Sequence, residues 1–332
     1  MIDDESCKLA LGANLGYYHD DPYELSLPFF AVAQGGYIDG GSYYVRGGSQ
    51  RLSDYLVSLI EENGGAVDCG RLVSDIHVRD GWVSGATHAK TYTETDEQTT
   101  QANSVIANAA VPTVAENLLA DPHGSTLAAE ISDRAIAPSL TTLYLVFEPT
   151  PADLGNECYS TIIEGTDIDT LADLSDTPPA GFGSRRLTFV DYSQVAADLA
   201  PDGKSVGAIT TVDYHNAWCG LTDPEYRRKK NRVGDVLLRR LNEVLPGASD
   251  AVVHQELATP HTIERFTHNP LGTAYGFAPT PNQTLGAREI EPSVDGLHFA
   301  SAWSSPGGGF TGAILSGAKT ARSLTSDVGT FS

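Results

Sequence analysis

Positively charged side chains are scarce in this 332-residue chain. Its 21 lysine and arginine residues stand against 43 aspartates and glutamates, which gives a formal net charge of −22 at pH 7, and only six of the basic residues are lysine. A chain this acidic has no general affinity for the phosphates of nucleic acids, so nucleic acid is excluded as a partner. The acid-rich, lysine-poor composition also predicts a surface adapted to high salt.

Long apolar runs are missing as well. No stretch approaches the roughly 20 apolar residues that a membrane-spanning helix requires. The first residues, MIDDESCKLALG, are acidic and lack the basic segment and apolar run of a secretory signal. These absences predict a cytoplasmic protein without a transmembrane helix.

Cysteine and histidine lack the spacings of common metal and redox motifs. The four cysteines are widely separated: Cys7, Cys69, Cys158 and Cys219. Because they form no C-x-x-C pair, we expect four reduced thiols and neither a zinc ribbon nor a dithiol motif. No H-E-x-x-H arrangement is present either. His261, Glu264 and His268 could approach one helical face, but we interpret them as ordinary polar helix residues, and no metal site is predicted.

The chain does contain a triple glycine joined directly to a helix pattern of small residues, SSPGGGFTGAILSGAKTAR at 304–322. Gly307, Gly308 and Gly309 remove every Cβ from the turn, so backbone can approach a ligand closely. The helix start adds unpaired N–H groups and a positive dipole end. The segment therefore predicts a site for an anionic or electron-rich ligand, most naturally a large cofactor. A glycine-rich surface loop before an ordinary helix is the alternative.

The first third of the chain alternates helical and strand patterns. Residues 1–36 are predicted to be mostly helical. Apolar residues at helical spacing after Gly47-Gly48 predict a helix that Ser49 or its neighbour caps and that ends near Asn63. The alternation around Asp80-Gly81 predicts a strand and a β-hairpin. YTETDEQTTQA is interpreted as an exposed turn, and SVIANAA as a short strand where backbones approach closely.

The middle of the chain favours an antiparallel sheet. Residues 111–135 suit helices, and SLTTLYLVFEP, RRLTFVDYS and SVGAITTVDYH are strand-length runs of β-branched and aromatic residues. An amphipathic helix is predicted from Glu225 to Leu245. Its first turns carry a basic cluster: Arg227, Arg228, Lys229 and Lys230. We interpret this cluster as a solvated helix face, with contact to anionic lipid as the alternative.

Three motifs in this order, YYVRGGSQRLSDYL, ERFTHNPLGTAYGF and HFASAWSSPGGGFTGAILSG, resemble the phytoene desaturase and carotenoid isomerase family of flavoproteins. The similarity runs from about residue 10 to about residue 325. It implies an α/β (α+β) amine-oxidase-like fold, in which a Rossmann-like FAD-binding domain is interleaved with an antiparallel-sheet substrate domain. The resemblance assigns 37–110 and 285–328 to the FAD-binding domain, and 1–36 and 111–284 to the substrate domain.

The same resemblance implies FAD as the cofactor and a long isoprenoid polyene as the substrate. The flavin would accept or donate hydride while the protein fixes the polyene and excludes water, in a desaturation, saturation or isomerisation of CH–CH or C=C bonds. In related desaturases the polyene enters from the membrane, so peripheral membrane contact is implied.

The family's flavin contacts map onto glycine turns and small residues of this chain: Arg46, Gly47, Gly48, Ser49, Val73, Ala107, Asn108, Ala109, Trp303, Pro306, Gly307, Gly308, Gly309, Phe310 and Gly312. Trp303, Phe310 and Tyr275 are expected to shape the surroundings of the flavin. His261 and Arg265 are weaker polar candidates beside the substrate, and His261 is also explained as a helix-start residue. No residue is assigned as a catalytic acid or base.

Two departures from the family pattern stand out. Neither a βαβ unit carrying G-x-G-x-x-G nor an acidic residue further on for the ribose is recognised anywhere in the chain, so the sequence is expected to start inside the family pattern and to hold FAD weakly. Ser301-Ala302 stands where many flavoproteins have Gly-Asp, which removes or replaces a carboxylate contact.

These departures leave two alternatives to an independent enzyme. One is a truncated, non-catalytic remnant, or a chain that pairs with an N-terminal partner carrying the missing unit. The other is a lipid- or pigment-binding protein without redox chemistry.

Overall fold

A computed structural model describes residues 2–91, 93, 95–175, 181–195, 198–284 and 289–328. The chain forms two compact units, each assembled from segments that are far apart in the sequence. Unit 1 comprises 1–24, 30–67 and 138–265, and unit 2 comprises 25–29, 68–137 and 266–332. These are packing units, and the assignment of 37–110 and 285–328 to a cofactor domain stays a prediction.

Helices and strands alternate along the chain. In chain order the α-helices are α1 (Glu5–Leu11), α2 (Leu27–Gly40), α3 (Gln50–Glu62), α4 (Val111–Thr113), α5 (His123–Glu130), α6 (Asp223–Val244), α7 (Ala248–Ala251), α8 (Pro260–Thr267) and α9 (Gly309–Val328). The strands are β1 (Arg71–Arg79), β2 (Trp82–Lys90), β3 (Gln98–Gln101), β4 (Val105–Ala107), β5 (Ser139–Phe147), β6 (Ser160–Ile163), β7 (Leu187–Asp191), β8 (Ser205–Asp213), β9 (Val252–Ala258) and β10 (Leu297–Phe299). In the described part of the chain, no helix is both long and apolar enough to cross a membrane.

Unit 1 is built on a five-stranded antiparallel sheet in the order β6-β7-β8-β5-β9. Its central strand β5 buries alternate residues, as the strand period of two requires. Leu143 pairs with Ile209 of β8 and with Leu257 of β9, and all three side chains are buried. The predicted antiparallel sheet is therefore confirmed, with β6 and β9 added to the three strands that the sequence indicated.

Helix α6 covers one face of this sheet. Its Leu237 and Leu241 are fully buried in a core cluster that also contains Leu143 and Phe147 of β5. A capping box of Thr222 and Glu225 starts the helix, two residues earlier than the predicted segment. The opposite face of the sheet carries the even-numbered residues of β5 and β8, most of which are half-buried.

Unit 2 contains a three-stranded antiparallel sheet, β1-β2-β3, and a parallel pair, β10-β4. Asp80 and Gly81 both have positive φ, 52° and 85°, and form the predicted hairpin turn. The expectation that YTETDEQTTQA is only a turn is wrong, because Gln98–Gln101 pair with β2 as β3. Threonine hydroxyls on the two strands meet, with 3.2 Å between the Oγ1 atoms of Thr87 and Thr99.

The core of unit 2 surrounds the parallel pair. Leu297 and Phe299 of β10 pack in a buried cluster with Val111, Val114 and Leu127 from the helical region 111–130. The predicted strand in SVIANAA is β4, and the predicted close approach occurs at its end, where the Ala300 amide donates to the Ala107 carbonyl at 3.1 Å. Strand β10 of this pair is followed by the segment that contains the glycine turn.

Candidate cofactor and substrate sites

The glycine turn connects β10 to α9 in unit 2. Gly307, Gly308 and Gly309 have φ values of 80°, 73° and 56°, all in the left-handed region that side chains with a Cβ disfavour. A Cβ at Gly308 or Gly309 would meet neighbouring atoms only at 3.9 Å, so backbone conformation rather than crowding requires glycine there. The turn leads into the first residues of α9, whose backbone N–H groups have no acceptor within the helix.

Gly312 closes this turn onto the helix. A Cβ at Gly312 would lie 2.1 Å from the Gly307 carbonyl oxygen, a distance that no side chain tolerates. The Gly312 amide donates to the Gly308 carbonyl at 3.2 Å, and the Gly308 amide donates to Ala302 at 3.0 Å. Gly307, Gly309 and Gly312 thus have the G-x-G-x-x-G spacing, which corrects the expectation that it occurs nowhere in the chain.

Three serines hold the same segment in place, and no sequence pattern predicted this role for two of them. Ser301 and Ser316 are buried, and Ser304 links them. The Ser301 amide donates to Ser304 Oγ at 3.0 Å, and Ser304 Oγ lies 2.7 Å from Ser316 Oγ on α9. Ser301 Oγ accepts from the Trp303 amide at 3.1 Å. Ser301, which stands where many flavoproteins have Gly-Asp, therefore takes part in holding the turn on α9.

Trp303 lies inside the core of unit 2. Its side chain is buried, its ring packs edge-on against Phe277 at 4.9 Å, and its Nε1 donates to Asn269 Oδ1 at 3.0 Å. Asn269 in turn donates to the Thr273 carbonyl. Trp303 thus joins the motif 264–277 to the glycine turn, and a contact of its ring with flavin stays a prediction.

The other predicted contacts of unit 2 differ in exposure. Tyr275 is half-buried, and its Cε1 would lie 3.9 Å from a Cβ at Gly309, so this ring borders the turn. Phe310 is 73% exposed. Three of the remaining residues, Val73, Asn108 and Pro306, are exposed or half-buried, whereas Ala107 is buried and Ala109 half-buried. Their contact with flavin stays a prediction.

The motif YYVRGGSQRLSDYL belongs to unit 1. Gly47 and Gly48 have φ values of 80° and 90°, and a Cβ at Gly48 would lie 2.9 Å from Leu199 Cδ2. Ser49 lies at the N-cap position of α3, but its side chain makes no capping hydrogen bond. The predicted end of the helix at Asn63 is its C-cap. Arg46 is exposed immediately before this turn.

Tyrosines gather on unit 1 beside the sheet face opposite α6. The rings of Tyr44, Tyr159 and Tyr192 pack with centroid distances of 5.4, 5.9 and 6.4 Å. Burial, then the neighbouring phenols, raises the pKa of Tyr159 and of Tyr192. Tyr159 and Tyr192 therefore remain uncharged across the physiological pH range.

The weaker polar candidates lie on α8. His261 is half-buried and stacks on Tyr226 with 5.9 Å between ring centroids, and burial together with His215 lowers its pKa. Arg265 is exposed. Helix α8 ends at Thr267, so His268 does not extend the helical face suggested for His261, Glu264 and His268.

Solved structures share this fold. An oxidoreductase from Methanosarcina mazei matches 97% of the chain and 65% of its own length at a TM-score of 0.61 and 17% identity. Cyclohexylamine oxidase from Brevibacterium oxydans matches 99% of the chain and 66% of its own length at a TM-score of 0.59 and 15% identity. The mixed helix-and-sheet architecture is thus amine-oxidase-like, as the resemblance implied.

The curated relatives of this chain include enzymes of carotenoid metabolism. The chloroplastic prolycopene isomerase of Arabidopsis thaliana is 30% identical over 58% of this chain and 31% of its own length. The carotenoid 3,4-desaturase of Haloarcula japonica is 28% identical over 87% of this chain and 56% of its own length. The lycopene-forming phytoene desaturase of Pseudescherichia vulneris is 23% identical over 99% of this chain and 65% of its own length.

The chain therefore spans between about a third and two thirds of the length of these relatives. The sequence profile of the flavin-containing amine oxidoreductases matches residues 1–325, which is nearly the whole chain. Together with the glycine turn and the sheet of unit 1, this match shows that the chain belongs to the flavin-containing amine oxidoreductase family.

Proposed function

We propose that this chain forms part of an FAD-dependent oxidoreductase that acts on CH–CH or C=C bonds of a carotenoid-like or other isoprenoid polyene. The observation that carries the proposal is the glycine turn, whose left-handed backbone and helix start suit a flavin nucleotide. The carotenoid enzymes among the relatives supply the substrate class.

The turn fits the cofactor chemically. Gly307, Gly308 and Gly309 leave the backbone bare, and the start of α9 offers N–H donors and a positive dipole end to phosphate or to the electron-rich flavin ring. The ring of Tyr275 borders the turn as an apolar wall. Bound FAD would supply hydride transfer, and the residues of the turn would orient it and exclude water from one side.

Unit 1 supplies the surface proposed for the polyene. The sheet face opposite α6 presents half-buried apolar side chains such as Leu140 and Val146, with exposed Tyr144 between them. The packed rings of Tyr44, Tyr159 and Tyr192 extend this surface. Apart from Glu256 of β9, which pairs with Tyr144, this array of apolar and aromatic groups is complementary to a rigid hydrocarbon polyene.

Substitution of Tyr44 tests the substrate proposal. Tyr44→Ala removes a ring that packs against two others, and aromatic pairs contribute about 0.5–1.5 kcal/mol, so polyene affinity is expected to fall by about two- to tenfold. Tyr44→Phe keeps the ring and is expected to bind normally. Affinity is measured from the absorption shift of a carotenoid titrated with the full chain. Equal binding by Tyr44→Ala and the unsubstituted chain would contradict the assignment.

The proposal includes a partner segment for unit 2. The strands of a parallel sheet are normally buried on both faces, yet Ile106 of β4 is 50% exposed, and Phe310 and Ile314 of α9 are exposed as well. A βαβ segment carrying its own G-x-G-x-x-G would cover such apolar groups and add a second helix dipole for the pyrophosphate. This segment, on the same chain or on another, is expected to raise FAD affinity.

Peripheral membrane contact is the remaining part of the proposal, and helix α2 supports it. Val32 and Ile38 are 66% and 73% exposed, and Asp39 is the only charged residue of α2. A helix with exposed apolar residues and almost no charge suits a lipid surface, from which a polyene would be taken.

A further inference from the structure

Two histidines and a cysteine of unit 1 meet at one edge of its sheet, and one of them is His261, which the resemblance offered only as a weak polar candidate. The ligand atoms of His215, Cys219 and His261 all lie within 4.8 Å of one another. Cys219 Sγ is 3.4 Å from His215 Nδ1 and 3.8 Å from His261 Nε2. Thiolate and imidazole are the ligands that zinc prefers in proteins.

Sheet topology brings these residues together. Strands β8 and β9 lie on either side of β5 and are both antiparallel to it, so they run in the same direction and end at the same edge. His215 and Cys219 follow the end of β8 in a 3₁₀ turn, and His261 follows the end of β9 at the start of α8. No sequence motif predicts this cluster, because His261 lies 42 residues beyond Cys219.

Glu264 orients the first histidine. His215 Nε2 lies 2.9 Å from Glu264 Oε2, so Nε2 carries the proton and donates it to the carboxylate. The lone pair of Nδ1 is then left on the side of Cys219. A carboxylate that holds the distal N–H of a ligating histidine is the usual second partner at protein zinc sites.

The distances already approximate a coordination polyhedron. With Zn–S bonds of about 2.3 Å and Zn–N bonds of about 2.0–2.1 Å, the S···N edges of a tetrahedral site are about 3.5 Å. The two observed S···N distances of 3.4 and 3.8 Å bracket this value, and the two histidine nitrogens lie within 4.8 Å of each other. Cys219 is exposed, which leaves room for water as a fourth ligand.

Buried hydrogen bonds hold the turn that carries two of the three groups. The Asp213 carboxylate, at the end of β8, accepts from Trp218 Nε1 at 2.7 Å and from Arg185 Nη1 at 2.9 Å. Trp218 is buried directly before Cys219. The ligand atoms are thus positioned by the core of unit 1, which lowers the cost of ordering them around an ion.

We propose that His215 Nδ1, His261 Nε2 and the Cys219 thiolate bind one Zn²⁺ ion, with water as the fourth ligand. Binding releases the thiol proton of Cys219 to solvent and involves no change of oxidation state. The site ties the ends of β8 and β9 together and shares no residue with the glycine turn. It differs from the expectation, based on sequence spacing, that the chain holds no metal.

Cobalt substitution tests the site on the full chain. Titration with Co²⁺ is expected to give one equivalent with the thiolate-to-cobalt charge-transfer band and visible bands of a tetrahedral site, and Zn²⁺ should displace both. Cys219→Ser is expected to remove the thiolate band. Glu264→Gln is expected to keep the band and to weaken binding by about 10- to 100-fold. Cys158→Ser, an exposed cysteine of the same unit, is the control and should titrate normally.

A chemical footprint gives a second readout without any substitution. Zn²⁺ is expected to protect Cys219 from alkylation, while Cys158 in the same sample stays reactive, as peptide mass spectrometry would show. A charge-transfer band that survives Cys219→Ser, or equal alkylation of Cys219 with and without Zn²⁺, would overturn the proposal.

Discussion

The positions of the C-terminal motif require glycine for different physical reasons. Gly307–Gly309 need glycine for their left-handed backbone, whereas Gly312 needs it because the Gly307 carbonyl occupies the position of its Cβ. Gly317, on the same helix, has open space around it. The motif was predictable from the sequence as a close backbone approach, but the two causes differ only in backbone conformation and neighbouring atoms, which the sequence does not show.

Substitution of Gly312 tests the closure of the turn. Gly312→Ala forces the Gly307 carbonyl to move, so we expect a loss of about 1–3 kcal/mol in unfolding free energy, in the range of overpacked sites. Gly317→Ala, in the open helix position, is expected to be neutral or to stabilise by up to about 1 kcal/mol. Urea unfolding followed by circular dichroism measures both. Equal midpoints for the two variants would contradict the closure.

Elements differ in how well the sequence predicts them. Strands β5, β7 and β8 and helix α6 follow from apolar periodicity, since their buried residues alternate or recur every three to four positions. Strand β9 reads VVHQELA and lies at the edge of the sheet with four consecutive exposed residues, so it lacks that alternation. Strand β3 consists of exposed polar residues that are held by pairing with β2.

The candidate site shows the same division. The glycine turn and the end of α3 at Asn63 were predictable from local residue types, whereas Ser49 lies at the N-cap position without a capping hydrogen bond from its side chain. The Ser304–Ser316 hydrogen bond and the His215–Cys219–His261 cluster depend on contacts between segments distant in sequence. No local pattern of residue types specifies such contacts.

Helix α2 gives a prediction at the scale of an element. The unsubstituted chain is expected to float with vesicles of neutral phosphatidylcholine, and Val32→Glu with Ile38→Glu should abolish flotation, because both carboxylates would enter the lipid interface. Val253→Glu, at a half-exposed position of β9, is the matched control and should float normally. Flotation of the double variant would contradict membrane contact through α2.

The whole molecule carries a net charge of −22, which acts on stability through self-repulsion. Salt at molar concentration shortens the screening length to about 3 Å and removes this repulsion. We therefore expect the thermal unfolding midpoint to rise between 0.1 and about 2 M KCl, as differential scanning fluorimetry would measure. An unchanged or lower midpoint would contradict adaptation of the surface to high salt.

The central claim is that FAD binds at the glycine turn of this chain. The most direct measurement is the visible spectrum after desalting of the full chain prepared with FAD, alone and together with a βαβ segment carrying G-x-G-x-x-G. We predict a flavin band, strongest with the segment present, that Gly308→Val removes and that Gly203→Ala, a positive-φ glycine of an exposed turn, retains. A spectrum without flavin in both preparations, or a band that survives Gly308→Val, would contradict the account.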